Sequence, residues 1–313
     1  MRFRMLVASL AVILAGTLFS VPAAMAGSPP ASLSGAYVGA ANASALSSFG
    51  SWRGSKATVA EDFLGDSNWS DISNPSWILS GWKSYVAGGG RLLLSVPMLT
   101  YAGGNFAAGA AGDYDGYFRS MGQALVADGE GNSILRLGWE FNGYWFPWSL
   151  TSSGSDSPTE FIAYWRHLVT LLRSIPGSSF KFDWNVNQGT EPINATLAYP
   201  GNSYVDYIGV EGYDMGYGVS TPQARWNQIV NQTYGLNWWL NFAREQGKPI
   251  TIPEWGLSSS ANGGGDDPYY IQQMYSWLKS AGAAIDVYYN YGSSVITSGA
   301  FPNAAASYRS LWG

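Results

Sequence analysis

The stretch SILRLGWEFNGYWFPWS, residues 133–149, joins a short apolar run to an acid and a dense group of aromatic rings. Its first half is typical of a buried strand, because a run that stays apolar on both faces suits a strand covered on both sides. The carboxylate of Glu140 ends that run, and large aromatic residues follow it closely. Working outward from this stretch, we find the same kind of run in both directions along the chain.

The repeated unit is a short β-rich run followed by a helical pattern. The strand candidates are residues 35–40, 56–63, 91–97, 133–140, 180–187, 205–213, 249–255 and 284–291. The helical patterns are residues 42–49, 75–87, 113–128, 158–174, 222–246 and 268–281. Strands that alternate with helices pair in parallel through right-handed crossovers, and eight such units predict an α/β fold, a single-domain (β/α)8 TIM barrel. A doubly wound open sheet is the alternative. It ordinarily has fewer strands, and no glycine-rich fingerprint follows the first strand.

The start of the chain predicts export. Residues 1–26 combine a basic start, an apolar run and an Ala-Met-Ala end, which is typical of a secretory signal peptide; an uncleaved anchor is the alternative. We expect residues 27–34 to be flexible and residues 35–313 to form the barrel domain. No later run reaches about 18 uninterrupted apolar residues, so we expect a secreted, extracellular protein without a membrane segment after cleavage.

Composition narrows the possible partners. The chain has no cysteine and one histidine, which excludes thiolate zinc sites and histidine-rich metal clusters. Its net charge of −5 comes with no basic patch, so we expect no nucleic-acid partner. The 15 Trp and 20 Tyr favour a surface that stacks on flat ligands. We expect a monomer without a cofactor or a metal.

Two other features have ordinary structural explanations. His167 lies within a helical pattern, which predicts a position on a helix face rather than in a site. Asp266 and Asp267 precede Pro268 at the start of another helical pattern. We expect them to cap that helix, with a calcium site as the alternative.

Several acids fall at the ends of the strand candidates, where a barrel of this type carries its active site. They are Glu61, Asp62, Glu140, Glu211, Asp214 and Glu254. Glu140 and Glu254 form the strongest pair, because each closes an apolar strand and neither has a nearby basic residue on its C-terminal side. The structural alternative is a buried carboxylate that pairs with a barrel arginine such as Arg136.

Two facing carboxylates suit the cleavage of a glycosidic bond. One must be protonated to donate to the leaving oxygen, and the other must be ionised to attack or stabilise the sugar's oxocarbenium-like centre. Two carboxylates a few ångströms apart cannot both ionise easily, so one pKa rises. Aromatic rings around them stack on the apolar faces of sugars.

Three motifs carry a family resemblance: LRLGWEFNGYWFPWS (135–149), YPGNSYVDYIGVEGYD (199–214) and PITIPEWG (249–256). They resemble glycoside hydrolase family 26, which contains β-mannanases and some β-1,3-1,4-glucanases and β-1,3-xylanases. The resemblance implies a retaining (β/α)8 enzyme with Glu140 as acid/base and Glu254 as nucleophile. It also implies that Tyr213 hydrogen-bonds the nucleophile.

The substrate contacts expected from these motifs are Trp139, Asn142, Trp145, Trp148, Tyr213, Trp255 and Tyr289. Trp145 and Trp148 match the family's aromatic subsite residues after the acid. The chain departs from the family's mannanases at two positions. Trp139 stands where they usually have a histidine, and Tyr289 or Tyr291 stands where they usually have a tryptophan. Both departures affect the subsite that reads the sugar.

We therefore expect a secreted, retaining endo-β-glycanase of the β-mannanase type that hydrolyses a polysaccharide by double displacement. The alternatives are a β-1,3-1,4-glucanase or β-1,3-xylanase of the same family, a non-catalytic carbohydrate-binding protein on this scaffold, and an acid-base enzyme of another class such as a lyase. Glu211 is the main rival for a catalytic role. We expect it to contact substrate or to pair with Arg136.

Overall fold

The computed structural model describes residues 27–150, 157–190 and 192–313; the predicted signal peptide lies outside these ranges. The strands are β1 (Leu33–Tyr37), β2 (Val59–Phe63), β3 (Arg91–Val96), β4 (Ile134–Leu137), β5 (Lys181–Val186), β6 (Tyr207–Val210), β7 (Ile250–Gly256) and β8 (Ile285–Tyr289). A short segment, Gly212–Tyr213, continues β6 and also pairs with β7.

Every strand pairs in parallel with the next one in chain order. The last strand then pairs with the first, from Leu33 opposite Ile285 to Tyr37 opposite Tyr289. The eight parallel strands therefore close into a ring, and the predicted (β/α)8 barrel is confirmed.

The helices lie between the strands. They are α1 (Ala43–Arg53), α2 (Trp69–Ser73), α3 (Ser76–Ala87), α4 (Phe106–Ala111), α5 (Asp115–Ala127), α6 (Pro158–Arg173), α7 (Pro222–Asn231), α8 (Leu236–Glu245), α9 (Pro268–Ala281) and α10 (Pro302–Trp312). None of the helices in the described residues is both long and apolar enough to cross a membrane.

Local sequence signals explain where several helices begin. At α6, the Ser157 hydroxyl accepts from the backbone of Glu160, whose carboxylate accepts in return from the backbone of Ser157. Pro158 occupies the first helical position, where its missing N–H costs nothing. At α9, Asp267 accepts from the backbone of Tyr270. These helix starts confirm the capping patterns in the sequence.

The structure differs from the prediction at three places. Strand β1 begins at Leu33, so the end of the expected flexible stretch already belongs to the barrel. The pattern over 222–246 is two helices, because Tyr234 takes a left-handed φ of 57° and interrupts it. Helices α2, α4 and α10 were not predicted; the first two are single short turns within loops.

The barrel interior changes character from one end to the other. At the amino ends of the strands, a small apolar cluster fills the ring: Val59, Leu93, Ile134, Ile285 and Val287. Each such buried side chain contributes about 1.5–3 kcal/mol. Two residues further along β2 and β4, the inward positions are Glu61 and Arg136, both fully buried. The carboxyl end of the barrel is therefore polar.

Candidate active site

Arg136 is the centre of a buried polar cluster at the carboxyl end of the barrel. Its guanidinium donates from Nη1 to Glu61 Oε1 at 2.7 Å and to Glu254 Oε2 at 2.9 Å. It donates from Nη2 to Glu211. A buried charge is stable only when it is paired and hydrogen-bonded. Arg136, on β4, thus ties together acids that come from β2, β6 and β7.

Glu254 is held in one orientation by two donors. Besides Arg136, the Tyr213 hydroxyl donates to Glu254 Oε1 at 2.6 Å. The tyrosine contact that the family resemblance implies is therefore present. The side chain of Glu254 remains 12% exposed, so it can meet a ligand from the barrel mouth.

A local irregularity turns Glu254 inward. Thr251, three residues earlier on β7, also points into the barrel, where its hydroxyl donates to Asp183 at 2.7 Å. Strict alternation would send one of these two outward. The pairing of β7 with β8 shifts register between Ile252 and Trp255, and such an irregularity re-aims side chains. Pro253, which has no N–H for the ladder, lies inside the shift.

Glu140 stands on a turn rather than on the strand itself. Strand β4 ends at Leu137, and Gly138 and Glu140 both take left-handed backbone conformations, with φ of 49° and 51°. Only glycine fits at 138, because a Cβ there would lie 2.8 Å from the sulfur of Met98. A left-handed glutamate is uncommon, and such backbone is found most often at functional sites.

Hydrogen bonds fix the Glu140 carboxylate. Asn187 Nδ2 donates to Oε1 at 2.6 Å, and Trp145 Nε1 donates to Oε2 at 2.8 Å. The backbone N–H of Glu140 donates to Asn185 Oδ1 at 3.3 Å. The end of β5 and the segment after β4 therefore position this acid together.

The cluster contains more carboxyls than one guanidinium neutralises. Burial raises the pKa of Glu61 and Glu211 well above the usual range, although Arg136 opposes the rise at both. Glu140 lies within hydrogen-bonding reach of Glu211 and raises its pKa further. Burial also raises the pKa of Glu254, but Arg136 and the hydroxyl of Tyr213 counteract it. Glu254 is therefore better stabilised as the anion than Glu61 or Glu211.

The two predicted acids meet across the barrel mouth. Glu140 is close enough that its charge raises the pKa of Glu254, and both carboxylates act on Arg136. Residues separated by more than a hundred positions in sequence thus share one electrostatic site, as the sequence predicted.

A continuous row of rings, the aromatic band, crosses the site. Its successive ring centroids lie 5.0–6.4 Å apart. Its members are Tyr144, Trp145, Phe146, Trp139, Phe63, Tyr37, Tyr289 and Tyr291. Tyr144 at one end is 70% exposed, and Tyr291 at the other is 50% exposed. The band therefore exposes aromatic surface at both of its ends.

A cleft of about 330 Å³ opens beside Glu140, between the segments that follow β4 and β6. Glu211 and Tyr213 line it, together with Trp145 and Asn187, which hold Glu140. A slightly larger crevice of about 380 Å³ lies between α1 and α3, but none of the site's acids line it. The first cleft, unlike the crevice, is therefore lined by members of the acid cluster and their donors.

Comparisons with known proteins agree with this geometry. The model of glycosyl hydrolase family 26 matches residues 128–244. Endoglucanase H of Acetivibrio thermocellus is 29% identical over 256 residues, which cover 79% of this chain and 26% of the relative. The resemblance to glycoside hydrolase family 26 is confirmed.

Further relatives and structures extend the comparison. A mannan endo-1,4-beta-mannosidase of Bifidobacterium adolescentis is 25% identical over 167 residues, 47% of this chain and 15% of the relative. The chain thus spans about a quarter or less of these two relatives. A Cellulomonas fimi endo-beta-1,4-mannanase structure has a TM-score of 0.60 at 18% identity, covering 83% of this chain and 64% of that chain. GH26C from Muricauda sp. MAR_2010_75 has a TM-score of 0.61 at 15% identity, covering 87% and 81%. At these identities, the two structures show a shared fold.

Three expected substrate contacts are buried elsewhere. Trp148 has no exposed surface, and its Nε1 donates to the carbonyl of Trp139 at 2.7 Å. Trp255 also has none, because it points outward from β7 and donates to Asp286 at 2.6 Å. The Asn142 amide is committed to both backbone groups of Asn187, at 2.8 and 2.9 Å. The side chains of these three residues are therefore occupied by contacts within the protein.

The other expected contacts do lie at the site. Trp145 and Tyr213 each hold one of the two acids and line the cleft. Tyr289 stacks on Tyr37 at 5.1 Å and lies 6.1 Å from the ring of Tyr213. Trp139 packs beside Arg136 and is only 5% exposed, so little of its ring is accessible from the barrel mouth.

The remaining sequence features have structural roles. Glu211 pairs with Arg136, one of the two roles expected for it. His167, on α6, contacts Asp115 at 2.6 Å on the outer helix layer. Asp267 caps α9 and pairs with Arg225, and Asp266 accepts from the first turn of α10. Within the described residues, no group of three or more candidate ligands could hold a metal ion.

Sequence reasoning left several residues of the site without a role. Asn185 and Asn187 end the fifth strand candidate, but the sequence did not decide whether they face the barrel. The contact of Asn187 with Glu140 depends on the turn after β4. Tyr37 and Phe63 end β1 and β2 on inward positions, and a strict count of alternation from Glu61 would have found Phe63. Tyr217 lies in a loop without periodicity, so no sequence signal identifies it.

Proposed function

We propose that the protein is a retaining glycoside hydrolase that cleaves a β-linked polysaccharide internally. In this proposal Glu254 is the nucleophile and Glu140 is the acid/base. The observation that carries it is the pair itself: two carboxylates from β4 and β7 act on one guanidinium at the barrel mouth, each held by its own donors.

The first step requires an ionised nucleophile and a protonated acid. Glu254 is held as the anion by Arg136 and Tyr213, and its free lone pair attacks the anomeric carbon. The bond to the leaving oxygen breaks as Glu140 gives that oxygen its proton, and a glycosyl ester on Glu254 remains. Trp145 and Asn187 orient Glu140 for this transfer.

The second step reverses the roles. Glu140, now ionised, takes a proton from a water molecule, whose oxygen attacks the anomeric carbon. The ester bond breaks, Glu254 regains its charge, and the product keeps the configuration of the substrate. Arg136 stabilises the returning carboxylate without being consumed.

The aromatic band supports a polymeric substrate. At one exposed end, Tyr144 packs against Trp145, the donor to Glu140. At the other, Tyr291 packs against Tyr289, whose ring lies beside Tyr213, the donor to Glu254. In this proposal a chain of sugars therefore continues past the cleavage point in both directions. This arrangement favours internal cleavage over removal of terminal units. We also propose that the enzyme acts outside the cell, because residues 1–26 have the pattern of a signal peptide.

The substrate we propose first is a β-mannan, as in family 26 mannanases. A β-glucan is the second candidate, because the relative that matches 79% of this chain is named an endoglucanase. The family resemblance implies that the departures at Trp139 and Tyr289 affect the subsite that reads the sugar. In this proposal they therefore influence the choice between these two sugars.

Release of oligosaccharides from purified polymers tests the proposal. The purified protein would be incubated with mannan, lichenan, β-1,3-xylan and β-1,4-glucan, with reducing ends and chain lengths followed over time. We expect a rapid fall in polymer length on at least one of them. Binding to a glycan array without any release would instead indicate a carbohydrate-binding protein, and unsaturated product ends would indicate a lyase.

A further inference from the structure

Tyr217 is a surface ring held in place by a neighbouring side chain. It is 66% exposed and lies in the loop between β6 and α7. The Gln228 amide, on α7, accepts from the backbone N–H of Tyr217 at 3.0 Å and donates to its carbonyl at 3.1 Å. An amide that pairs with both backbone groups of one residue fixes that residue's position, although Tyr217 makes no contact with the acids.

This ring lies on one wall of the cleft beside Glu140. The opposite wall carries Tyr144 and Trp145, whose rings lie 5.1 Å apart. The Tyr101 hydroxyl donates to the Trp145 carbonyl at 3.1 Å and supports that wall from behind. The cleft therefore has exposed aromatic surface on two sides, which suits a sugar ring between them.

The cleft lies on the acid's side of the site. Both donors to Glu140, Trp145 and Asn187, line it. Tyr213, the donor to Glu254, also lines it, but Glu254 and Tyr289 do not. The acid of a retaining glycosidase protonates the bridging oxygen, so the departing sugar lies next to it. In the opposite part of the aromatic band, Tyr289 lies close enough to Glu254 for that carboxylate to raise its pKa. In the proposed reaction this part is therefore next to the sugar that becomes attached to the nucleophile.

The polar groups in the cleft suit an uncharged sugar. They are mainly amides, from Asn187, Gln188 and Gln232, and the Oε1 atom of Gln188 is buried without a partner. Glu211 is the charged group in the lining, and Arg136 already pairs with it. Amides donate to and accept from hydroxyl groups, whereas no lysine or arginine lines the cleft to attract an acidic sugar.

We propose that Tyr217, positioned by Gln228, forms the far wall of a subsite for a neutral sugar on the leaving-group side, and that it sets how strongly a sugar leaving group is preferred. This inference rests on the proposed glycosidase function. Tyr217 would act through contact with the sugar alone, because it contacts none of the acids of the site.

The test compares two substrates that share the attached sugars and differ in the leaving group: an oligosaccharide and a dinitrophenyl glycoside. For Tyr217→Ala, we expect the ratio of kcat/KM on the oligosaccharide to kcat/KM on the aryl glycoside to fall about tenfold, equivalent to one lost stacking contact. Gln228→Ala should give a smaller fall in the same ratio. Tyr217→Phe keeps the ring, so its ratio should stay near that of the unmodified protein.

Tyr291→Ala is the matched control, because this tyrosine is equally a surface ring but lies at the other end of the band. It should lower kcat/KM on both substrates together and leave the ratio near that of the unmodified protein. An unchanged ratio in Tyr217→Ala, or an equal fall in Tyr291→Ala, would overturn the inference. Failure of the unmodified protein to cleave either substrate would instead overturn the proposed function.

Discussion

The two ends of the barrel interior are built from the same strands and have opposite chemistry. At the amino end, Val59 and Ile134 pack in an apolar cluster. Two residues further along the same strands, Glu61 and Arg136 form a buried ion pair at 2.7 Å. The first end gains free energy by removing apolar surface from water, and the second must offset the cost of removing charges from water.

This difference shows how one scaffold separates stability from chemistry. The apolar cluster can tolerate a change of shape at a moderate cost, because none of its side chains carries a charge. At the polar end, every acid shares one cation, so a change at any member alters the protonation of the others.

The largest expected effect is on catalysis at the polar end. Glu254→Ala should lower kcat by about four orders of magnitude, because the nucleophile and its ester are lost. Turnover assays with an activated aryl glycoside measure this, and added azide should restore part of the rate with inverted product. Glu130→Gln is the control at the opposite end and should keep kcat within about twofold of the unmodified protein. Full hydrolysis by Glu254→Ala would show that another acid attacks.

The next effect is on stability at the polar end. Arg136→Met should cost about 3–5 kcal/mol, because it leaves Glu61, Glu211 and Glu254 buried without their cation. Urea unfolding at neutral pH measures the loss. Arg173→Met, which removes an exposed pair with Asp206, should cost less than about 1 kcal/mol. Similar values for the two variants would mean that the cluster does not depend on its arginine.

A subtler effect is on the pH dependence of cleavage. Glu254 must be ionised to attack, and the hydrogen bond from Tyr213 lowers its otherwise raised pKa. In Tyr213→Phe the pKa of Glu254 should rise, so kcat/KM should begin to fall at a higher pH as the solution is acidified. Tyr289→Phe, a neighbouring tyrosine without that bond, serves as the control. An acid limb that stays in place in Tyr213→Phe would contradict the role given to the hydroxyl.

The smallest expected effect lies near the amino end of the barrel. Glu130, just before β4, is fully buried without a hydrogen-bond partner, and burial raises its pKa to about 8. Its folded pKa exceeds its unfolded pKa of about 4.3, so above pH 4.3 the unfolded chain gives up this proton while the folded protein still holds it. The free energy of unfolding therefore falls as pH rises from about 4.3 to about 8. Glu130→Gln should therefore raise stability by about 1–3 kcal/mol at pH 8–9 and by much less near pH 5.

Thermal unfolding at several pH values measures this gain. Glu245→Gln is the control, because it changes an exposed carboxylate on α8 that is not among the charges acting on Glu130. We expect its effect on stability to stay small at every pH in that range. A gain for Glu130→Gln that does not grow with pH would show that the carboxyl is already satisfied in the folded protein.

The sequence was most informative where periodicity and local chemistry agree. All eight strands were predicted, because each is a short apolar run between helical patterns. Few folds other than a (β/α)8 barrel contain eight such alternating units. The acids at 140 and 254 were predicted because each interrupts an apolar run. The ends of elements were less certain: β4 ends at Leu137, and Glu140 reaches the site from a left-handed turn that no periodicity predicts.

Aromatic residues were the hardest to assign. Trp145 and Trp148 are three positions apart and look alike in sequence, yet one holds Glu140 and the other is buried beneath Trp139. Trp255 follows the nucleophile but points outward to Asp286, because neighbouring residues on a strand face opposite sides. The contacts of a ring depend on how the loops fold over the barrel, and the residue type alone does not contain that information.

Covalent trapping of the nucleophile tests the central claim most directly. The protein would react with an activated 2-deoxy-2-fluoro β-glycoside of the sugar it cleaves, and peptide mass spectrometry would locate the attached sugar. We expect the label on the peptide that contains Glu254, and none in Glu254→Gln. A label on Glu61 or Glu211 instead, or a product of inverted configuration without any covalent species, would contradict the pairing of Glu254 with Glu140.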